Sequence, residues 1–176
     1  MADERDLTLV SLQRADFPLL VDWLARPHVA RWWGAPKALS AIEAEYGPCL
    51  DGDDPTLLFL CHEGDRPIGM VQIYRMADEL DYASAVGFPE AGTLDLFIGE
   101  PTACNRGLGR RVITLATERI WSTYPEVTGA LAGPSVHNGQ SIRAFEKAGF
   151  RSVGAVDVPG EDDQEMILYC DRPTGA

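Results

Sequence analysis

The stretch TACNRGLGRRVITLA, residues 102–116, decides the fold of this chain. It follows an apolar strand pattern, GTLDLFIG at 92–99, and runs straight into a helical one. Leu108, Val112, Leu115 and Ala116 fall on one face of that helix. Between the two lies a bare segment, Asn105-Arg106-Gly107-Leu108-Gly109-Arg110. Glycines let a backbone approach a ligand closely, with N–H groups free to donate. A helix N-terminus adds partial positive charge. Together these make an anion cradle, most often for phosphate. No GK[ST] follows, so this is not a P-loop, and the pattern GxG is too short for the dinucleotide fingerprint GxGxxG. Read alone, the segment also suits a glycine-rich turn with solvated arginines.

Outward from this segment, patterning predicts β-α-α-β-β-β-α-β-α-β-β. LTLVSL (7–12) reads as a strand, and Asp16 as the cap of a helix with Phe17, Leu20, Val21 and Leu24 on one face. Pro27 is expected to end that helix, leaving HVARWWGAP (28–36) as a short aromatic segment. SAIEAEYGPCL (40–50) reads as a short helix. TLLFLCHE (56–63) and IGMVQIYRM (68–76) flank a GDRP turn as a hairpin. Residues 77–92 are acidic and contain Gly and Pro, which predicts a long excursion. VTGALAG (127–133) is a strand, and NGQSIRAFEKAGF (138–150) a helix with Asn138 as N-cap and Gly149 just past its end. RSVGAVDV and EMILYC close the chain around the acidic loop PGEDDQ (159–164). The order implies a mixed α/β domain, one layer of sheet with helices on it. No repeat or linker divides residues 1–176, so a single domain is expected.

With 27 acidic against 15 basic side chains, the net charge is -12. Such a surface repels nucleic acid and anionic membrane, so neither is an expected partner. It suits a small cationic one, although solubility alone would also favour it. MADERDLTLV lacks the basic and apolar regions of a signal peptide, and LLFLC (57–61) is the longest clean apolar run, far below a membrane span. Cys49, Cys61, Cys104 and Cys170 lie far apart, which predicts reduced thiols in a cytoplasmic protein. His28, His62 and His137 match no metal spacing, and no metal is expected.

CNRGLGRRV followed, after one more strand, by N-x-x-S-I-R-A-F-E-K-A-G-F resembles the GNAT superfamily of acyl-CoA-dependent N-acetyltransferases. WLARPHVARWWG (23–34), PIGMVQIY (67–74), LDLFIG (94–99), GPSVHNGQSIRAFEKAGF (133–150) and EMILY look like the aminoglycoside 6′-N-acetyltransferase group, over roughly residues 17–170. The helix-and-tryptophan opening is also similar to siderophore acyltransferases. The resemblance implies a central, mostly antiparallel sheet with a splayed parallel pair, flanked by helices. It implies acetyl-CoA as co-substrate, its diphosphate on residues 105–110 and its pantetheine arm between strands 92–98 and 127–132.

By the same resemblance, Leu96, Phe97 and Ile98 offer backbone groups to that arm, and the N–H beside Phe97 or Ile98 polarises the thioester carbonyl. Asn138, with Ser141 and Phe145 on the same helix, completes the cofactor site; Asn138 suits a pure helix cap equally well. Asp95 is an acid inside an apolar strand, opposite in direction to Leu94 and Leu96. An exposed acid on an edge strand would read the same way. The resemblance makes it the base or anchor at the acceptor amine. Trp32, Trp33, Glu79, Asp81, Tyr82, Glu161, Asp162 and Asp163 are the other acceptor-site candidates, because carboxylates pair with ammonium groups and aromatic faces suit sugar rings.

Three positions depart from the pattern. Phe145 stands where many relatives carry a tyrosine acid, Gly133 where the aminoglycoside group often has an acid, and Cys104 where Gln or Arg is usual. The expected activity is acetyl transfer from acetyl-CoA to an aminoglycoside, giving resistance. The acceptor is the 6′ amine or another, such as the 2′ amine of a kasugamycin-type compound. The alternatives are a siderophore or protein amine N-acyltransferase and a non-catalytic acyl-CoA-binding module. A monomer or a homodimer suits each.

Overall fold

The computed structural model describes residues 6–174. Seven strands form one mixed sheet: β1 (Leu7–Ser11), β2 (Leu57–Glu63), β3 (Arg66–Arg75), β4 (Ala91–Ile98), β5 (Gly129–Ala132), β6 (Arg151–Val156) and β7 (Glu165–Asp171). Their spatial order is β1-β2-β3-β4-β5-β7-β6. β4 and β5 are parallel, whereas β1/β2, β5/β7 and β6/β7 are antiparallel. A parallel neighbour needs a crossover. The helix predicted from the glycine segment, α5 (Leu108–Thr123), supplies it. The β4/β5 register covers Ala91–Thr93 against Gly129–Leu131, although β4 runs on to Ile98. Among the described residues no helix is long and apolar enough to cross a membrane.

The chain folds as two compact units, one holding residues up to 72 together with Leu96–Leu108, the other Ile73–Asp95 with the residues from 109 on. In the first unit, α1 (Phe17–Ala25) buries Phe17, Leu20, Trp23 and Leu24. They pack with Val29, Ile42, Leu58, Met70 and Phe97. α1 ends just before Pro27, as expected, but Pro27 also begins a further helix. Arg26 is extended, as a residue before proline prefers, and Pro27 opens α2 (Pro27–Trp33) at a position that needs no N–H. The aromatic segment is therefore helical. Asp16 stands at the N-cap of α1 as expected, but its side chain makes no cap bond: its Oδ2 accepts from Gln13 N at 2.8 Å and closes the 3-10 turn Arg14–Asp16. α3 (Leu39–Asp51) ends at Gly52, whose φ of 85° suits glycine.

In the second unit, two faces of β4 meet different partners. Gly92 lets Ile120 of α5 approach to 2.4 Å from where a Cβ would stand. On the other face Ala91 packs with Met76, Leu131, Ile167 and Tyr169. Tyr82, Ala83, Val86 and Phe88 cover that cluster. The excursion 77–92 thus contains a helix, α4 (Leu80–Val86), which hides its amphipathic side in seven residues between Glu79 and Gly87. α6 (Gly139–Lys147) starts and stops as predicted: Asn138 Oδ1 accepts from Ser141 N at 3.1 Å, and Gly149 has φ 98°.

Candidate active site

Two glycines of the loop have open space where a side chain would stand. A Cβ built at Gly107 or at Gly109 would meet no atom within 4 Å. Gly107 is explained by its φ of 78°. Gly109 has neither a positive φ nor a crowded Cβ position, so nothing inside the fold demands a glycine there. A side chain at 109 would project into open space. Asn105 also adopts positive φ, 58°, a conformation asparagine tolerates. Arg106 is occupied otherwise. Its Nη1 and Nη2 donate to Glu63 Oε2 and Oε1 at 3.0 and 2.7 Å, a two-point grip on a carboxylate only 5% exposed. Arg106 thereby ties the loop to β2, a role its sequence position did not suggest.

The far end of β4 is held equally firmly. The Phe97 carbonyl oxygen lies 2.2 Å from where a Gly69 Cβ would be, so this oxygen faces β3. Backbone groups alternate along a strand, which turns the amides of Leu96 and Ile98 to the opposite edge of β4. The Ile98 amide is thus turned away from β3. The Ile98 carbonyl accepts from His28 Nε2 at 3.0 Å and the Gly99 carbonyl from Arg26 Nη1 at 2.9 Å. Phe97 itself is buried, edge-on to Trp33 at 4.9 Å and to Trp23 at 6.1 Å. Trp33 therefore packs on the core, while Trp32 is half-buried with Arg31 over its ring.

β4 is the fourth of seven strands, so Asp95 does not lie on an outer strand of the sheet, although the β4/β5 register stops at Thr93. Asp95 is half-buried and its charge acts on Tyr74, Tyr82 and Glu165. Burial, then the neighbouring carboxylates, hold both phenols above their usual range. Tyr82 Oη donates to Glu165 Oε2 at 2.7 Å. Burial pushes the Glu165 carboxyl up to about 7; the Tyr82 bond opposes this and the charges of Asp95 and Glu161 add to it. Glu79, Asp81, Glu161, Asp162 and Asp163 are exposed. Of these, Asp163 accepts from Ser135 Oγ at 3.2 Å. Glu79 reaches the cluster through its charge on Tyr74.

Tyr74 and Glu165 were missed in the sequence. The signal was there for one of them: Glu165 shares a face with Ile167 and Tyr169 at period 2. Phe145 is buried edge-on to Phe150 at 5.1 Å, and so packs rather than offering a polar group. Asn138 uses its amide oxygen as the cap, and its NH2 group carries two further donors.

The raised Glu165 carboxyl has a consequence for stability. From its usual 4.5 up to about 7, the unfolded chain releases a proton that the folded chain keeps. This contribution is fully present below about 4.5 and is lost as pH rises toward 7. Glu165→Gln cannot ionise and can still accept from Tyr82. Thermal melts should show the variant gaining on the parent between these limits by roughly 1 kcal/mol after allowing for partial exposure. A gap independent of pH would refute the burial argument.

Residues 13–158 match the family described as an acetyltransferase (GNAT) domain. The chain is 28% identical over 162 residues to an aminoglycoside N(6′)-acetyltransferase type 1 of Klebsiella pneumoniae, covering 87% of this chain and 78% of that protein. It is 25% identical over 160 residues to a lysine N-acyltransferase of Mycolicibacterium paratuberculosis, covering 90% and 71%. The crystal structure of the aminoglycoside acetyltransferase AAC(6′)-Ib with coenzyme A and kanamycin superposes with a TM-score of 0.82 at 26% identity, covering 95% of each chain. The family match spans the glycine loop, Asp95 and α6 together. This chain belongs to the GNAT acetyltransferase domain family.

Proposed function

We propose that this protein transfers the acetyl group of acetyl-CoA to an amine of an aminoglycoside, and that it works as a single acetyltransferase domain. Asp95 carries the reading: a half-buried carboxylate on a central strand, one residue before the backbone groups at Leu96–Ile98. The bound thioester supplies an activated acetyl group. Gly107, Leu108, Gly109 and Arg110 would hold the diphosphate, with Asn105 and Arg106 shaping the loop. Asn138 NH2 and β4 amides would align the pantetheine arm. The Ile98 amide would donate to the thioester oxygen as negative charge builds there. Asp95 would take the proton from the attacking amine, directly or through water. The amine nitrogen bonds to the carbonyl carbon, the carbon–sulfur bond breaks, and solvent protonates the thiolate in place of the absent tyrosine at Phe145.

The acidic surface, the aminoglycoside-acetylating relative and the kanamycin held by the similar structure support a cationic acceptor. Four free cysteines agree with action in a reducing cytoplasm. The likeness to a lysine N-acyltransferase favours an alkylamine acceptor as the second reading. Incubating the protein with acetyl-CoA and a panel of aminoglycosides and lysine-type amines, following thiol release, and locating the acetyl group by NMR decides between them. No acetylated product from any amine would refute both.

The cradle has its own test. Gly109→Ala should leave stability unchanged or raise it by about 0.5–1 kcal/mol, since alanine suits a helix better. The acetyl-CoA KM should rise by roughly tenfold, about 1.4 kcal/mol of lost backbone approach. An unchanged KM would show that the ligand does not approach residue 109.

A further inference from the structure

We propose that Glu165 is a second amine-recognising carboxylate of the acceptor site, reaching it through the space that Gly133 leaves open; this rests on the acetyltransferase reading above. A Cβ at residue 133 would stand 2.1 Å from Glu165 Oε2 and 2.5 Å from Tyr82 Oη. The backbone of Gly133 does not adopt positive φ, so conformation does not demand a glycine there. Space does. The chain after Gly133 is zipped to the start of β7: Met166 N donates to Pro134 O at 2.8 Å, Val136 N donates to Gln164 O at 2.9 Å, and Ser135 bridges Glu165. This fixes the Glu165 backbone beside Gly133, and Tyr82 fixes the carboxyl.

Thr93 points independently to a ligand on this side of β4. It lies two residues before Asp95 on the same face, is 0% exposed, and its Oγ1 has no hydrogen-bond partner among the described residues. A buried hydroxyl without a partner costs free energy unless something completes it. Asp95 and Glu165 thus offer two carboxylates to one acceptor, with the unpartnered Thr93 hydroxyl buried on the same face of β4 as Asp95. Two carboxylates suit a substrate with two amines, one neutral and reacting at Asp95, the other an ammonium paired with Glu165. A polyamino sugar has this chemistry. The acid absent from position 133 is then supplied from β7, and the pair Gly133/Glu165 acts as one exchangeable unit.

The test uses kanamycin as probe, with calorimetric binding and thiol release measured in parallel. Glu165→Ala should weaken kanamycin binding and raise its KM by at least tenfold, with the acetyl-CoA KM unchanged. Glu165→Gln, which keeps the Tyr82 bond and the shape, should show most of that loss and guards against misfolding of the alanine variant. Gly133→Asp alone should be worse than either, because its side chain collides with Glu165. Gly133→Asp combined with Glu165→Ala should recover binding to within threefold of the parent. Kanamycin affinity that survives loss of Glu165, or a double variant no better than Glu165→Ala, overturns this proposal while leaving acetyl transfer standing. A parent protein that neither binds nor acetylates kanamycin overturns it together with the aminoglycoside reading.

Discussion

Asp95→Asn is expected to lower kcat for amine acetylation by about 10²–10⁴-fold, the usual span for a positioned proton acceptor. This corresponds to roughly 3–5 kcal/mol of activation free energy. The substitution keeps shape and hydrogen bonding but removes the acceptor for the amine's proton. Amines arrive as ammonium ions at neutral pH and attack only when neutral, so the loss falls on the chemical step. The acetyl-CoA KM should stay within about twofold, because the diphosphate loop and the Ile98 amide are untouched. The acidic limb of the pH–rate profile should also move. Asp95 is one of the charges that push up the Glu165 carboxyl, so its removal lets Glu165 ionise at lower pH. Steady-state kinetics across pH 5–9 read both effects. An Asn variant with parental kcat would remove Asp95 from the chemistry and leave it a structural acid.

What was legible in the sequence was local. Each feature of the glycine loop and of α6 is set by residues within one or two turns: a glycine that permits an exposed backbone, an Asn138 side chain that reaches Ser141, a Gly149 that ends the helix. Asp95 stood out because a charge interrupts an apolar strand. Pro27 ended α1 as read, but α2 was missed because proline both ends and begins helices: Arg26, extended at ψ 132° before the proline, closes one helix and leads into the next. α4 was hidden because its helical face is complementary to Leu131, Ile167 and Tyr169, residues distant in sequence. Glu165 and Gly133 make the same point for the site. Neither is informative alone. Their meaning lies in a missing Cβ on one segment making room for a carboxylate from another. Arg106 likewise shows only its charge in the sequence, and its pairing with Glu63 on β2 comes from the fold.

Gly69→Ala should be among the most damaging single-atom additions this protein can receive, costing about 3 kcal/mol or more. Its new Cβ would stand 2.2 Å from the Phe97 carbonyl oxygen and 3.1 Å from Ile98 Cα, both backbone atoms of the adjoining strand. A side chain could rotate away; a carbonyl inside a sheet cannot, so β3 and β4 must part locally. That movement is opposed on three sides. Phe97 is wedged against Trp23 and Trp33, the Trp23 ring fills the space a Gly99 Cβ would take, and Trp23 Nε1 donates to Glu100 at 2.9 Å. At about 2–4 °C per kcal/mol for a chain of this size, the melting temperature should fall by roughly 6–12 °C. Gly64→Ala is the control: its φ of 61° makes alanine cost about 1–2 kcal/mol, with nothing within 4 Å to collide. Surviving Gly69→Ala protein should also lose kcat more than it loses acetyl-CoA affinity. The displaced segment carries the Ile98 amide, and a donor moved by a fraction of an ångström stabilises the transition state less. Equal melting temperatures for the two variants would show that β3 and β4 do not meet at Gly69, and the direction assigned to the Ile98 amide would fall with that contact.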